Sequence, residues 1–122
     1  MKKTYTKQMV LARHLNRHGN LFGGQMMAWM DVAAAIHCGE IMQMNCVTVK
    51  ATEIIFKTPV KLGDIVTFEV EEINRGTTSM TVHVNVTKTN LEEKNIEVAS
   101  SDFTFVAIDD EGKPSSKWND EV

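Results

Sequence analysis

The stretch from Gly23 to about Gln43 constrains this chain more than any other part of it. Methionine, alanine, tryptophan, isoleucine and cysteine lie on almost every side, and only Gln25, Asp31, His37, Glu40 and Gln43 interrupt them. A helix that is apolar nearly all round has to be covered nearly all round. Roughly eighteen helical residues span about 27 Å at a rise of 1.5 Å each. The longest mostly apolar run, Met26 to Cys38, carries Asp31 and His37 and is too short to cross a bilayer. The segment therefore reads as a buried core helix.

Downstream the hydrophobic period changes from 3.6 to 2. Val47, Val49 and Ala51 alternate with Thr48, Lys50 and Thr52, and Ile54-Ile55-Phe56 then breaks the alternation, which predicts a long strand that is bent or bulged. Thr58-Pro59 and Leu62-Gly63-Asp64 are turn sequences. Val66, Phe68 and Val70 alternate with polar residues, and after Arg75-Gly76-Thr77 so do Met80, Val82, Val84 and Val86. A polar loop at 90–95 precedes a strand from Ile96 to Ile108, and a further strand is expected near Thr4 to Ala12. Short links imply antiparallel neighbours. The prediction is an α+β fold in which one long helix is wrapped by an antiparallel sheet of five or six strands. All 122 residues form one domain, with a tail from about residue 115 expected to be flexible.

Charge and cysteine content narrow the function. Thirteen Lys and Arg against sixteen Asp and Glu, with no basic run beyond Lys2-Lys3, leave no footprint for nucleic acid. Cys38 and Cys46 belong to no Cys-x-x-Cys or Cys/His array, so no zinc site is expected. Thr, Tyr, Lys and Gln interrupt the stretch after Lys2-Lys3 where the apolar part of a signal peptide would run, so a reduced, cytoplasmic protein is expected. A chain this short buries only about two thirds of its unfolded surface, which makes a subunit interface a natural source of stability.

Two features carry chemistry. Asp31 sits between Met26-Met27-Ala28-Trp29-Met30 and Val32-Ala33-Ala34-Ala35-Ile36, where an ionised carboxylate is costly unless partnered. It is either a solvated acid at the helix edge or a desolvated general base or nucleophile. The segment Asn16-Arg17-His18-Gly19-Asn20-Leu21-Phe22-Gly23-Gly24 enters the same helix. Glycines at a helix start let a ligand reach unpaired backbone N–H groups, where a carbonyl oxygen would be polarised, although a tight turn alone also explains them. His14, His18, His37 and His83 form no spaced metal motif, and no Gly-x-Ser-x-Gly occurs.

Taken together, Asn16 to Gly24, Trp29-Met30-Asp31, Val47-Thr48-Val49, Phe56-Lys57-Thr58-Pro59-Val60 and Gly76-Thr77-Thr78-Ser79 resemble the hotdog-fold acyl-CoA thioesterases. The likeness is to the brain acyl-CoA hydrolase type and its small bacterial relatives, from about residue 5 to Pro114. It implies the hotdog fold and hydrolysis of acyl-CoA to coenzyme A and a carboxylic acid. Asp31 matches the family's helical acid, Asn16 the asparagine that opens the glycine turn, and Gly23 and Gly24 the oxyanion-binding helix start. The resemblance also implies that Asp31 and Asn16 reach one site from opposite subunits of a dimer or a trimer of dimers. Arg75, Gly76, Thr77, Thr78 and Ser79 match a region near the coenzyme A moiety. Lys57 and Lys61 are further candidates for its phosphates, with Lys113 as an alternative contact. Coenzyme A enters only as part of substrate and product, and no metal or redox cofactor is implied. Arg17 stands where a histidine is common, and Val32 where an acid often follows the aspartate. A hotdog dehydratase or hydratase, a non-catalytic acyl-CoA binding module, and a packing protein with a structural Asp31 are the alternative readings.

Overall fold

The computed structural model describes residues 2–119. In chain order the elements are β1 (Lys3–Met9), α1 (Gly23–Met42), β2 (Cys46–Ala51), β3 (Ile55–Phe56), β4 (Ile65–Arg75), β5 (Ser79–Thr89) and β6 (Ile96–Ala107), with short 3-10 turns at Ala12–His14 and Lys117–Asn119. The strands make one antiparallel sheet in the order β1-β4-β5-β6-β2, and β3 pairs with β6 beyond the end of β2. The expected long bent strand is thus β2 and β3 laid along one edge of β6. They are separated at Thr52–Ile54, and the register slips between Thr48 and Lys50. The first strand stops three residues short of the expected end, because Ala12–His14 turn back on themselves through the bond from His14 N–H to the Leu11 carbonyl.

The alternation in β4 and β5 follows the sheet's two faces. Val66, Phe68, Val70, Met80, Val82, Val84 and Val86 are fully buried beneath the helix, whereas Thr81, His83, Asn85 and Thr87 lie on the outer face. A fully buried side chain of this size contributes about 1.5–3 kcal/mol. The helix differs from expectation. Met26, Met30, Ala33, Ala34, His37, Cys38 and Met42 are buried, but Val32 and Ile36, one turn apart, are exposed on the other side, and Met27 is exposed near the helix start. A curled sheet covers only the side it faces, so the second apolar side is left bare within one chain. The helix ends where Gln43 takes a left-handed conformation, φ 54°, as the cap.

The C-terminal segment carries structure as far as residue 119. Ser115 N–H bonds the Ala107 carbonyl, and Trp118 packs on the core. Its last residues, 120–122, lie outside the described residues.

His37 is a fully buried imidazole on the helix. Its Nδ1 lies 2.7 Å from the Thr4 hydroxyl of β1, and Nε2 has no partner among the described residues. Burial pushes the imidazole below its ordinary pKa; Lys2 adds to this, while Glu72 and Glu40 oppose it. Folded His37 therefore resists a proton that the unfolded chain accepts. At neutral pH both states are unprotonated and the group has no effect. As pH falls below the ordinary histidine value near 6.5, stability is lost progressively. The expected outcome is a urea midpoint that drops between about pH 7.5 and about pH 5.5 in the native protein and drops less in His37→Met. Equal drops would place the acid sensitivity elsewhere.

Candidate active site

The segment before the helix is closed by backbone and side-chain bonds. Asn16 N–H donates to the Asn20 carbonyl at 2.7 Å, and Gly19, at φ +82°, donates to the Asn16 carbonyl at 3.0 Å. The Asn16 side-chain oxygen accepts from the N–H groups of His18 at 2.8 Å and Asn20 at 3.2 Å. This Asx turn uses the oxygen and leaves the amide nitrogen as a donor. Leu21 N–H then bonds the Val60 carbonyl at 2.6 Å, and Phe22 N–H bonds the His14 carbonyl at 2.9 Å, which fixes the entry into α1.

The helix start is left open. Phe22 occupies the cap position with no side-chain cap, the first turn holds no acidic residue, and the N–H groups of Gly23 and Gly24 have no acceptor among the described residues. Those N–H groups carry the partial positive charge of the helix end. A methyl on Gly23 would meet nothing within 4 Å, whereas one on Gly24 would come within 2.5 Å of the Phe22 ring. Asn16, Gly23 and Met26 line a cavity of about 390 Å³ whose other wall includes Phe56, Lys57 and Val98.

Asp31 opens elsewhere. It lines a second cavity of about 730 Å³ with Gly24, Met27, Thr48 and Phe103, and Phe56 borders both cavities. Contrary to the picture of a carboxylate sunk among Met, Ala and Trp, Asp31 is half-buried at the helix edge. Its Oδ1 accepts the Thr48 hydroxyl at 2.7 Å, which leaves Oδ2 unengaged among the described residues. Nothing in the sequence marks Thr48 for this role, because a threonine in an alternating strand carries no signal that it meets an acid on the helix. Cys46 sits near enough that burial first and the Asp31 charge second push its thiol up, and burial pushes Cys38 up to about 12, so neither is a thiolate nucleophile.

Asp31 follows Gly23 by eight residues, about 12 Å along the axis at 1.5 Å per residue. One reacting carbonyl cannot lie about 3 Å from both the N–H groups at the helix start and the carboxylate of the same helix.

The other candidates are placed as follows. Lys57 lines the first cavity and pairs with Glu97 at 3.3 Å. Arg75, Gly76, Thr77, Thr78 and Ser79 line neither cavity. They form the β4–β5 turn beside Val106, at the end of the sheet opposite Val98. Arg75 is engaged within the chain: Nε and Nη2 each donate to Glu72 at 2.7 Å, and the guanidinium lies 4.9 Å from the Trp118 ring centre. His14 accepts from Leu11 N–H and meets Trp29 edge-on at 4.8 Å, His83 bonds Asp102 at 2.6 Å on the outer face, and no histidine lines either cavity. A dehydratase-type histidine therefore has no place beside Asp31 in the chain.

The sequence model of the thioesterase superfamily matches residues 18–94. The acyl-CoA thioester hydrolase YciA of Escherichia coli strain K12 is 31% identical over 112 residues, covering 88% of this chain and 85% of that protein. An acyl-CoA hydrolase from Staphylococcus aureus, solved with butyryl coenzyme A, coenzyme A and coenzyme A disulfide, superposes with a TM-score of 0.87 at 36% identity, covering 93% of this chain and 70% of that one. The same hydrolase has been solved with an aspartate, an asparagine and a threonine each changed to alanine. A hexameric thioesterase from Yersinia pestis superposes with a TM-score of 0.86 at 33% identity, covering 90% of each chain.

The Thr48–Asp31 bond joins a half-exposed pair, so its structural worth is small. Thr48→Val keeps the shape and removes the hydroxyl, and should change folding stability by no more than about 1.5 kcal/mol. Urea denaturation checks this; a loss of several kcal/mol would make the bond a structural pin instead.

Proposed function

The chain belongs to the thioesterase superfamily and is an acyl-CoA thioester hydrolase, and we propose that two copies of it build each active site. One copy supplies Asn16, Gly23 and Gly24; the other supplies Asp31 and Thr48. The observation that carries this reading is the separation of Asp31 from its own helix start by two helical turns, with Asn16 and Gly23 lining one cavity and Asp31 the other. Further support comes from the Staphylococcus aureus hydrolase. Its substituted asparagine, aspartate and threonine follow one another at intervals of fifteen and seventeen positions, the same intervals as Asn16, Asp31 and Thr48.

The thioester carbonyl oxygen rests on the free N–H groups of Gly23 and Gly24, where charge that develops on it is stabilised by the helix end. Asn16, with its side-chain oxygen spent in the turn, donates through its amide nitrogen to the carbonyl or to water. Asp31, oriented through Oδ1 by Thr48, uses Oδ2 to take a proton from water or to attack the carbonyl itself. In the water route the hydroxide adds to the carbonyl carbon, the C–S bond breaks, and the coenzyme A thiolate takes the proton from Asp31. Only protein groups and water are needed, and we assign no metal or redox cofactor.

Several further assignments belong to the same reading. The catalytic hotdog domain extends over the 122 residues, and the enzyme works in the cytoplasm as a homo-oligomer. The bare helix side of Val32 and Ile36 suits a dimer contact, and the hexameric relative suits a trimer of dimers. Lys57 is positioned at the first cavity to meet coenzyme A. Arg75 and the Gly76–Ser79 turn would meet it only from another copy, and Arg75 only by releasing Glu72.

Free-thiol release from acyl-CoA tests the assignment. Asp31→Asn should keep fold and oligomer size and lose about 10²- to 10⁴-fold in kcat, with Asn16→Ala losing less. Mixing exchanged Asp31→Asn and Asn16→Ala subunits should restore part of the activity, because one site of each mixed dimer has both groups intact. Near-normal turnover by Asp31→Asn would refute its catalytic role, and no recovery after proven exchange would refute the two-copy site. Binding of acyl-CoA without thiol release by the native protein would favour a binding module.

A further inference from the structure

Strand β5 places Met80, Val82, Val84 and Val86 inward, and the next inward position is Lys88, which is only 7% exposed. A buried ammonium is costly, and an apolar side chain here would continue the core. Lys88 is instead committed to one turn of the chain. Its Nζ donates to the Pro59 carbonyl at 2.7 Å and pairs with Asp64 Oδ2 at 3.1 Å. Asp64, only 4% exposed, also accepts from Lys61 N–H at 2.9 Å, and its own carbonyl accepts Val10 N–H at 3.0 Å. Burial pushes the Asp64 carboxyl up, but the Lys61 N–H, the Lys88 ammonium and the Asn90 side chain outweigh it and hold the group below the usual carboxylate range.

The turn so gripped is the wall on which the glycine segment rests. Val60 accepts Leu21 N–H at 2.6 Å, two residues before Gly23. Lys61 Nζ donates to the Asn20 side chain at 2.9 Å, and Asn20 in turn accepts Asn16 N–H at 2.7 Å. Pro59 and Val60 themselves line the cavity of Asn16 and Gly23, whereas Lys88 and Asp64 do not.

We propose that Lys88, paired with Asp64, is a positioning residue for thioester hydrolysis: it fixes the Pro59–Asp64 turn, and through Val60 and Lys61 that turn aligns Asn16 and the Gly23 N–H with the reacting carbonyl. The inference rests on the reading that Asn16 and Gly23 act on the thioester. Misalignment of donors aimed at a developing oxyanion weakens the transition state more than substrate binding, so the loss falls on kcat and not on KM.

Two variants separate alignment from mere stability. Lys88→Met leaves Asp64 buried and unpaired; Lys88→Met combined with Asp64→Asn removes that charge as well and also serves should the single variant fail to fold. Free-thiol release is measured well below each melting temperature, and hydrogen exchange is followed at the Asn16, Leu21 and Phe22 amides, whose bonds hold the segment in place. Lys88→Met should melt lower than the native protein, and the double variant should regain much of that loss. Both should nevertheless lose about 10- to 100-fold in kcat, with KM changed less than about threefold, and both should exchange faster at these amides. If kcat recovers together with the melting temperature, or if folded Lys88→Met turns over normally, Lys88 is a stability element only and the proposal falls. If the native enzyme releases no thiol, it is the hydrolase reading that fails. Exchange at Asn16, Leu21 and Phe22 then decides the alignment by itself: faster exchange in both variants sustains it, and unchanged exchange removes it.

Discussion

Helix α1 has two apolar sides, and its own sheet covers one of them. Met26, Met30, Ala33, Ala34 and Cys38 are packed under β4, β5 and β6, and Val32 and Ile36 are exposed on the other side. Apolar surface of this extent is worth about 25 cal/mol for each Å² removed from water, which drives association. Asp31 lies at the boundary between the covered and the bare side. In the proposed site the surface that joins two copies is therefore the surface that performs the reaction.

Helix geometry adds a second constraint. The N–H groups that can hold a developing oxyanion exist only in the first turn, because further along each donates to a carbonyl four residues back. A carboxylate on the same helix that stands close enough to act would place negative charge against that first turn. Two turns of separation keep the charges apart within a chain, and in the proposed site a second copy brings a carboxylate to the donors from another direction. The absence of an acidic residue from the first turn leaves the helix end free for the substrate.

The sheet was legible in the sequence because its inner and outer faces impose a period of two, and β4 and β5 keep that period for most of their length. Asp31 stood out as an acid in an apolar run, and the glycine pair marked the open helix start. What escaped depended on contacts that periodicity does not encode. Thr48 has the ordinary pattern of an outward strand threonine, and only the packing of β2 on α1 brings it to Asp31. In a regular strand, residues three apart point to opposite faces. The irregularity between Glu72 and Asn74 lets Glu72 take two nitrogens of Arg75, and so the guanidinium that the resemblance placed near coenzyme A is already engaged. Lys88 does break the β5 alternation in plain view, but the sequence does not show that Asp64 and Pro59 are waiting for it.

Asp64 and Asp31 are housed in opposite ways. Asp64 is buried in every copy, and its desolvation is offset by a permanent ammonium and a backbone donor, which makes it a fixed brace. Asp31 stays half-exposed in the single chain and holds one neutral hydroxyl partner, so it is not burdened by a buried charge before assembly. In the proposed site a second copy covers the bare side of the helix, and water is removed from Asp31 by the burial of the surrounding apolar side chains, whose favourable transfer offsets the cost. A carboxylate stripped of water and lacking a cation partner is the more effective proton acceptor or nucleophile. A lysine beside Asp31, of the kind that steadies Asp64, would stabilise the resting enzyme and blunt that reactivity. Pairing with a threonine orients the group without neutralising it.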